Sequence, residues 1–202
     1  SGFTISDEVD DYFLIVSRLI PYKRIDLAVR AFNHLGLPLK IVGGGRDQAE
    51  LARMAKPNVE FLGRVPDQDV RRLYARCRAF IFPGEEDFGL TPLEAQASGR
   101  PVIAYAGGGA LDTVVEGETG VFFRAPTAES LAEAVRSFDH RQFDPARIRR
   151  HAISFDVTLF KDRLARFVAE ITSGHRQRSV GQEQSARQTV SLPSVGEGDL
   201  RG

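Results

Sequence analysis

Short apolar runs alternate with segments of helical periodicity along this chain, and that alternation limits the folds that it can adopt. Side chains on both faces of each run are mostly apolar, which is typical of strands that are covered on both faces of a sheet. The segments between them place apolar residues at helical spacing and end at turn residues such as Gly36. The predicted strands are Tyr12–Val16, Leu39–Val42, Val59–Leu62, Ala79–Phe82, Val102–Ala104 and Val121–Phe123.

Strands that alternate with helices imply right-handed crossovers and a parallel sheet with helices on both faces. We therefore predict an α/β fold, a Rossmann-like doubly wound parallel sheet of about six strands followed by a C-terminal helix. Ligands of such sheets bind at the carboxyl ends of the strands. We expect the functional residues to lie in the loops that follow the strands.

Composition divides the 202 residues into a domain and a tail. The predicted domain spans residues 1–172 and closes with a helix over 157–171 whose apolar residues form one stripe. Residues 173–202 are mostly Gly, Ser, Gln, Arg and Glu, which bury too little apolar surface to order themselves. We predict that this tail is disordered.

The charge balance argues against a nucleic-acid-binding protein. Lys plus Arg and Asp plus Glu each number 27, so the chain has no global basic field. No apolar run reaches the length of a membrane span, and no signal-peptide pattern opens the chain. We expect a cytoplasmic protein that can contact the cytoplasmic face of a membrane peripherally.

Neither cysteine nor histidine predicts a metal site or a nucleophile. The single cysteine, Cys77, fits a reducing compartment and falls on a predicted helix from Val70 to Arg78, where a packed, inert thiol is expected. The histidines share no spacing that would suit metal binding or a nucleophile–histidine pair. They are His34, His140, His151 and His175.

The loop after the first strand places two cations close together. Arg18 and Lys23 both lie in the stretch that begins at Ser17. A diphosphate requires several donors in a confined space, which this loop can offer. Two solvated surface cations are the alternative interpretation.

Glycines follow the second, third and fifth strands. Gly43-Gly44-Gly45 allows a ligand to approach the backbone closely, or is a flexible turn. Leu62-Gly63-Arg64 offers backbone groups to a nucleobase edge, or is a plain connection. Gly107-Gly108-Gly109 is placed to line the same cleft. None of these forms a Walker loop, and the first strand does not lead into the Gly-x-Gly-x-x-Gly pattern of NAD-binding proteins.

The junction after the fourth strand carries two carboxylates, Glu86 and Glu94, with seven residues between them. A strand-to-helix junction directs free amide groups and the positive end of a helix dipole at a ligand, which suits phosphate. Carboxylates suit the hydroxyls of a sugar or a ribose. Alternatively, Thr91-Pro92-Leu93-Glu94 matches a helix capping box, and Glu86 is simply solvated.

Together these motifs resemble the retaining GT-B glycosyltransferases of family 4, also called group 1 glycosyltransferases. The likeness covers about residues 10–171 and matches the C-terminal, donor-binding domain. The motifs that produce it are Ser17-Arg18 with Lys23, Gly43-Gly44-Gly45, Phe61-Leu62-Gly63, and Glu86 to Glu94 continuing through Ala95-Gln96-Ala97-Ser98-Gly99-Arg100-Pro101-Val102-Ile103-Ala104.

The resemblance implies a role for each matching position. Arg18 and Lys23 would bind the donor diphosphate and stabilise its charge, Glu86 would hold sugar hydroxyls, and Glu94 the ribose hydroxyls. The further donor-binding residues that it implies are Ser17, Gly43, Gly44, Gly45, Leu62, Gly63, Arg64, Phe88, Gly89, Leu90 and Thr91. The family generally requires no metal, so we expect no cofactor apart from the nucleoside diphosphate sugar.

The acceptor-binding N-terminal half of such an enzyme has no counterpart in this sequence. The leading hypothesis is the donor half of a hexosyltransferase that uses a GDP- or UDP-sugar, with GDP-mannose slightly favoured, and a glycan or lipid acceptor. A noncatalytic nucleotide-sugar module that acts with a partner subunit is the second hypothesis. A Rossmann-type oxidoreductase is the third, and the missing phosphate fingerprint after the first strand counts against it.

Overall fold

The computed structural model describes residues 2–156 and positions 161, 165 and 168. The chain up to Phe155 forms one compact unit, Ser1–Phe155, which contains the sheet. The predicted domain boundary at residue 172 and the predicted disordered tail lie outside the described residues. So does the predicted helix over 157–171, apart from positions 161, 165 and 168, which are helical.

The strands lie where the apolar runs predict them. They are β1 Phe13–Val16, β2 Leu39–Val42, β3 Val59–Gly63, β4 Phe80–Phe82, β5 Val102–Tyr105 and β6 Gly120–Phe123. All their pairings are parallel, and the spatial order is β3-β2-β1-β4-β5-β6. The predicted Rossmann-like doubly wound sheet is therefore confirmed.

Helices lie between successive strands, as crossovers in a parallel sheet require, and two more helices follow β6. They are α1 Ile25–Leu35, α2 Gln48–Met54, α3 Asp67–Arg76, α4 Leu90–Ala97, α5 Ala110–Thr113, α6 Ala128–Ser137 and α7 Pro145–Ile153. Short 3₁₀ turns lie at Pro21–Lys23 and His140–Gln142. Thr127 caps α6, because its hydroxyl accepts a hydrogen bond from the Ser130 amide at 3.2 Å.

Each face of the sheet is covered by a separate layer of buried side chains. Because side chains alternate along a strand, Phe13 and Ile15 of β1 face one layer, which includes residues of α1 and α6. Leu14 faces the other layer, together with Tyr74 of α3 and Ala95 of α4. The central strands are thus fixed from both sides, which holds the loops at their ends in place.

Helix α3 begins and ends earlier than the predicted helix from Val70 to Arg78. Asp67 is the first helical residue and makes no capping bond, since the chain enters the helix through Pro66. Cys77 lies just beyond the helix rather than within it, and it is fully buried and free. Burial raises the pKa of the Cys77 thiol to about 12, so the thiol is protonated and inert at neutral pH, as predicted.

Within the described residues, no helix is both long enough and apolar enough to cross a membrane.

Candidate functional site

The first site loop follows β1 and is called here the β1 loop, Ser17–Arg24. Ile20 leads into the 3₁₀ turn Pro21–Lys23, in which the Lys23 amide donates to the Ile20 carbonyl at 3.1 Å. Proline at the first position of the turn fixes its backbone angle. Arg24 then adopts a left-handed conformation, φ 52°, and α1 begins at once. The loop is thereby held short and close to the sheet edge.

The second site loop follows β4 and is called here the β4 loop, Pro83–Gly89. Gly89 has a φ of 73° and immediately precedes α4, so the chain turns sharply into that helix. The first amide groups of α4 point back toward the loop, as they do at any helix start. The β4 loop therefore ends on the positive end of a helix dipole.

These two loops enclose a cavity of about 690 Å³, called here the switch-point cavity. It lies at the carboxyl ends of β1 and β4, where the strand order changes direction, which is the usual ligand position in a doubly wound sheet. The lining comprises Val16, Ser17, Arg18, Tyr22, Lys23, Glu85, Glu86, Asp87, Phe88, Gly89, Leu90 and Thr91.

An ion pair crosses the cavity between the loops. The Lys23 ammonium contacts the Glu86 carboxylate, and the two side chains are only 13% and 21% exposed. The ammonium also lies 4.9 Å from the centre of the Tyr22 ring. Partial burial strengthens this attraction relative to a fully solvated pair. The pair fixes Lys23 and Glu86 together at the centre of the site.

The positive and negative charges in the cavity lining come from different loops. The β1 loop supplies the cations Arg18 and Lys23, while the β4 loop supplies Glu85, Glu86 and Asp87. Arg18 is exposed and forms no ion pair among the described residues. A ligand with an anionic end and a hydroxyl-rich end therefore has complementary partners at the two sides of one cavity.

The first glycine run supports the β1 loop from behind. A side chain at Gly43, whose φ is 119°, would bring its Cβ within 1.9 Å of the Ser17 carbonyl oxygen. At Gly45, a Cβ would lie 2.3 Å from the Leu19 carbonyl oxygen. The Leu19 amide also donates to the Gly44 carbonyl at 3.1 Å. The run lets two backbones pack directly, and it does not line the switch-point cavity.

The second glycine run supports the β4 loop in the same way. The Gly109 amide donates to the Glu86 carbonyl at 2.6 Å, and a Cβ at Gly108 would lie 2.3 Å from the same oxygen. The expectation that Gly107–Gly109 lines the cleft is wrong for this cavity, since the run lies behind the loop. The physical reason is that small residues are needed where two loops touch backbone to backbone.

The capping box, which was the alternative interpretation of Thr91 to Glu94, is not formed. The helix begins at Leu90 with Gly89 at the N-cap, and no side chain caps it. Thr91 and Pro92 are therefore already helical, and Glu94 lies one turn inside the helix. The Glu94 carboxylate instead accepts a hydrogen bond from the Tyr74 hydroxyl, with 2.9 Å between Tyr74 Oη and Glu94 Oε2. Burial raises the pKa of Glu94, and the Tyr74 hydrogen bond opposes that rise.

The predicted site residues thus fall into two groups. Those in the lining of the switch-point cavity are Ser17, Arg18, Lys23, Glu86, Phe88, Gly89, Leu90 and Thr91. Those outside the lining are Gly43, Gly44, Gly45, Leu62, Gly63, Arg64 and Glu94. Ligand contact by any of them stays a prediction. Among the described residues, no cluster of three or more His, Cys, Asp and Glu side chains is arranged to hold a metal ion.

Known proteins resemble the chain over this same unit. Residues 4–155 match the family description "Glycosyl transferases group 1". The chain belongs to this family. The match covers both site loops and every strand of the sheet, so the switch-point cavity lies in a group 1 glycosyltransferase domain of the GT-B type.

Two relatives of the chain have different named activities. The chain is 31% identical over 182 residues to a GDP-mannose-dependent alpha-(1-6)-phosphatidylinositol monomannoside mannosyltransferase of Mycolicibacterium smegmatis, covering 80% of the chain and 47% of that protein. It is 30% identical over 169 residues to a glycogen synthase of Pseudomonas savastanoi pv. phaseolicola, covering 76% of the chain and 35% of that protein. The chain spans less than half the length of either relative.

Solved structures share the fold of this group 1 glycosyltransferase domain. Sucrose-phosphate synthase from Thermosynechococcus elongatus superposes with a TM-score of 0.72 at 25% identity, covering 85% of this chain and 50% of that one. Anabaena Alr3699/HepE in complex with UDP and glucose gives a TM-score of 0.70 at 23% identity, covering 79% and 48%.

Several residues that shape the site were not among the sequence-based candidates. Tyr22, Glu85 and Asp87 line the cavity, and their position beside Lys23 and Glu86 in the sequence was an available signal. Phe155 was also missed. Its ring lies 6.4 Å from that of Phe88 in an edge-to-face arrangement, and nothing in the sequence indicates that contact.

We predict that Gly84→Ala destabilises the site loops. A Cβ at Gly84 would lie 2.7 Å from the Tyr22 carbonyl oxygen and 2.8 Å from Lys23 Cα, so one backbone must shift. Such overpacking costs about 1–3 kcal/mol, which urea unfolding measures as a lower midpoint with an unchanged slope.

Gly44→Ala is the matched control for this prediction. A Cβ there meets only the end of the flexible Gln48 side chain, at 3.4 Å, and its effect should stay within about 0.5 kcal/mol. Equal unfolding midpoints for the two variants would contradict the close packing of the loops.

Proposed function

We propose that this chain binds the donor substrate, a nucleoside diphosphate sugar, of a retaining family 4 glycosyltransferase. The observation that supports this most strongly is the switch-point cavity, which joins Arg18 and Lys23 to Glu86 beside the start of α4. In this proposal the chain is the donor half of the enzyme, and the acceptor is held by a domain outside these residues.

The diphosphate end of the donor has partners on two sides. Arg18 is exposed at the cavity and can turn its guanidinium toward phosphate oxygens in a bidentate arrangement. Lys23 adds a second positive charge, and the first amide groups of α4 add the positive end of a dipole. If the Lys23 ammonium turns from Glu86 toward a bound diphosphate, the phosphate oxygens replace the carboxylate as its anionic partner.

The sugar end of the donor has the β4 loop as its partner. Glu86 accepts hydrogen bonds from sugar hydroxyls in this proposal, and the amides around Phe88 and Gly89 contact the sugar or the phosphate. Holding Glu86 by the Gly109 amide and by Lys23 fixes its position before the ligand arrives. A preorganised group of this kind loses little conformational entropy on binding.

The same groups account for the proposed chemistry. As the glycosidic bond breaks, negative charge grows on the departing nucleoside diphosphate. Fixed cations and a helix N-terminus that face this charge stabilise the transition state more than the ground state. Arg18, Lys23 and α4 supply these groups, so the proposal requires no metal. The retaining outcome is part of the proposal because the motifs resemble those of retaining enzymes.

The proposed donor is a GDP- or UDP-hexose, and GDP-mannose is slightly favoured. The relative from Mycolicibacterium smegmatis is named as GDP-mannose-dependent, which supports the guanine nucleotide. The Anabaena structure holds UDP and glucose, which keeps uridine nucleotides as the comparison in any test. A glycan or a lipid is the proposed acceptor, since the relatives include a phosphatidylinositol mannoside mannosyltransferase and a glycogen synthase.

A noncatalytic nucleotide-sugar module that acts with a partner subunit is the second candidate. Both candidates require donor binding by the switch-point cavity. They differ in whether the complete protein transfers the sugar to an acceptor.

Donor binding is tested by thermal-shift titration with GDP, UDP, GDP-mannose, UDP-glucose and NAD. The melting temperature should rise with the concentration of a nucleoside diphosphate or its sugar, because ligand that binds only the folded state stabilises it. Arg18→Ala should weaken this binding about 10- to 100-fold, as expected for losing charge-assisted hydrogen bonds worth about 1.5–3 kcal/mol. The variant alone should keep its melting temperature, since the side chain is exposed.

Arg30→Ala provides the control for the removed charge. Arg30 is exposed on α1 and does not line the switch-point cavity, so this variant should bind as the parent does. A rise in melting temperature with NAD alone would contradict donor binding. Equal affinities of the two arginine variants would contradict the role of Arg18.

The Glu86→Gln variant distinguishes recognition of the sugar from recognition of the diphosphate. We predict that GDP binds at least as tightly as before, because Lys23 loses its competing carboxylate. The ratio of the affinity for GDP-mannose to the affinity for GDP should fall about tenfold, as expected when a hydrogen bond to a charged group is lost. Isothermal titration calorimetry with both ligands measures the ratio.

Glu85→Gln is the matched control. It also removes one negative charge from the cavity lining, but it leaves the ion pair between Lys23 and Glu86 in place. It should leave the ratio of GDP-mannose to GDP affinity nearly unchanged. If the two variants reduce that ratio equally, recognition of the sugar by Glu86 is wrong.

A further inference from the structure

Tyr74 is a fully buried phenol on α3 that reaches across to the site helix. Its side chain is 0% exposed, and its hydroxyl donates to Glu94 Oε2 at 2.9 Å. A buried tyrosine hydroxyl without an acceptor is costly, so Glu94 satisfies a requirement of the core. In return, the phenol fixes one oxygen of the Glu94 carboxylate.

The Tyr74 ring itself is held from several sides. Phe80 of β4 packs against it with ring centres 5.5 Å apart, and Phe3 meets it edge to face at 5.9 Å. Arg149 of α7 holds Phe3 in turn, because its guanidinium donates to the Phe3 carbonyl at 2.8 Å. The hydroxyl therefore has a defined position that it can impose on Glu94.

The second oxygen of Glu94 is left available. The Tyr74 bond occupies Oε2, and no hydrogen bond to Oε1 occurs among the described residues. Glu94 is half-buried and lies one turn after the start of α4, on the helix that closes the switch-point cavity. An acceptor oxygen fixed in this way suits the hydroxyl of a ligand that extends beyond the cavity lining.

We propose that Tyr74 is a positioning residue for ribose recognition: it holds Glu94 by Oε2 so that Oε1 accepts a hydrogen bond from a ribose hydroxyl of the bound nucleotide. The inference rests on the proposed donor binding. Phenylalanine would fill the same space at position 74 but would leave the carboxylate free to rotate. The hydroxyl, rather than the ring, is therefore the functional part of Tyr74.

The test compares ribose with dideoxyribose in the parent chain and in Tyr74→Phe. Isothermal titration calorimetry measures affinities for GDP, UDP and their 2′,3′-dideoxy forms. The parent should prefer the ribose form by about tenfold or more, as expected for hydrogen bonds to a charged acceptor. Tyr74→Phe should reduce that preference to about twofold to threefold while dideoxy nucleotide affinity stays unchanged.

Tyr12→Phe is the matched control. Tyr12 is also buried, at 4% exposed, and its hydroxyl donates to the Leu73 carbonyl of the same helix at 2.9 Å. Each variant loses one buried hydroxyl, so each should lower the melting temperature by about 2–4 °C. Only Tyr74→Phe should change the ribose preference. In a Glu94→Gln background, Tyr74→Phe should have no further effect on that preference.

The outcomes separate this inference from the proposed function. A parent chain that binds none of the nucleotides overturns both the donor-binding proposal and the role of Tyr74. A parent chain that prefers ribose, with the same preference in Tyr74→Phe, leaves donor binding in place and overturns the positioning role. An equal loss of preference in Tyr12→Phe also overturns it, because the effect would then be a general loosening of α3.

Discussion

The reversal of strand order between β1 and β4 is the constraint on which the rest of the molecule depends. From β1 the chain winds outward through β2 to β3, then returns to place β4 on the other side of β1. The loops that leave β1 and β4 must therefore diverge to opposite faces of the sheet, which opens a crevice between them. The residues of that crevice, Arg18 with Lys23 and Glu86, are the ones that carry the proposed chemistry.

The crevice becomes a defined site because backbone packing holds both loops. Gly43 and Gly45 lie against the β1 loop, and Gly108 and Gly109 lie against the β4 loop, at distances that no side chain would permit. The ion pair between Lys23 and Glu86 then joins the loops to each other. Behind this layer, the Tyr74 hydroxyl fixes Glu94 on α4. Rigid support of this kind is what keeps charged groups close together without a ligand.

The sequence predicted the fold well, because strand position follows from local apolar runs and ligand position follows from topology. The same logic found Arg18, Lys23 and Glu86, since the ends of parallel strands meet at one edge. The alternative interpretation of Thr91-Pro92-Leu93-Glu94 as a capping box was wrong, because the helix begins earlier, directly after Gly89. The supporting roles of the glycines and of Tyr74 depend on contacts between distant segments, which no local pattern encodes.

Donor binding as proposed requires that a nucleoside diphosphate binds between the β1 and β4 loops. Its most direct test is NMR of the ¹⁵N-labelled chain titrated with GDP. The largest amide shifts should fall in residues 17–23 and 85–91, the two segments that contain most of the residues lining the switch-point cavity. Shifts concentrated instead around Asp11, Arg78 and His140, which line a separate cavity of about 560 Å³, would contradict it.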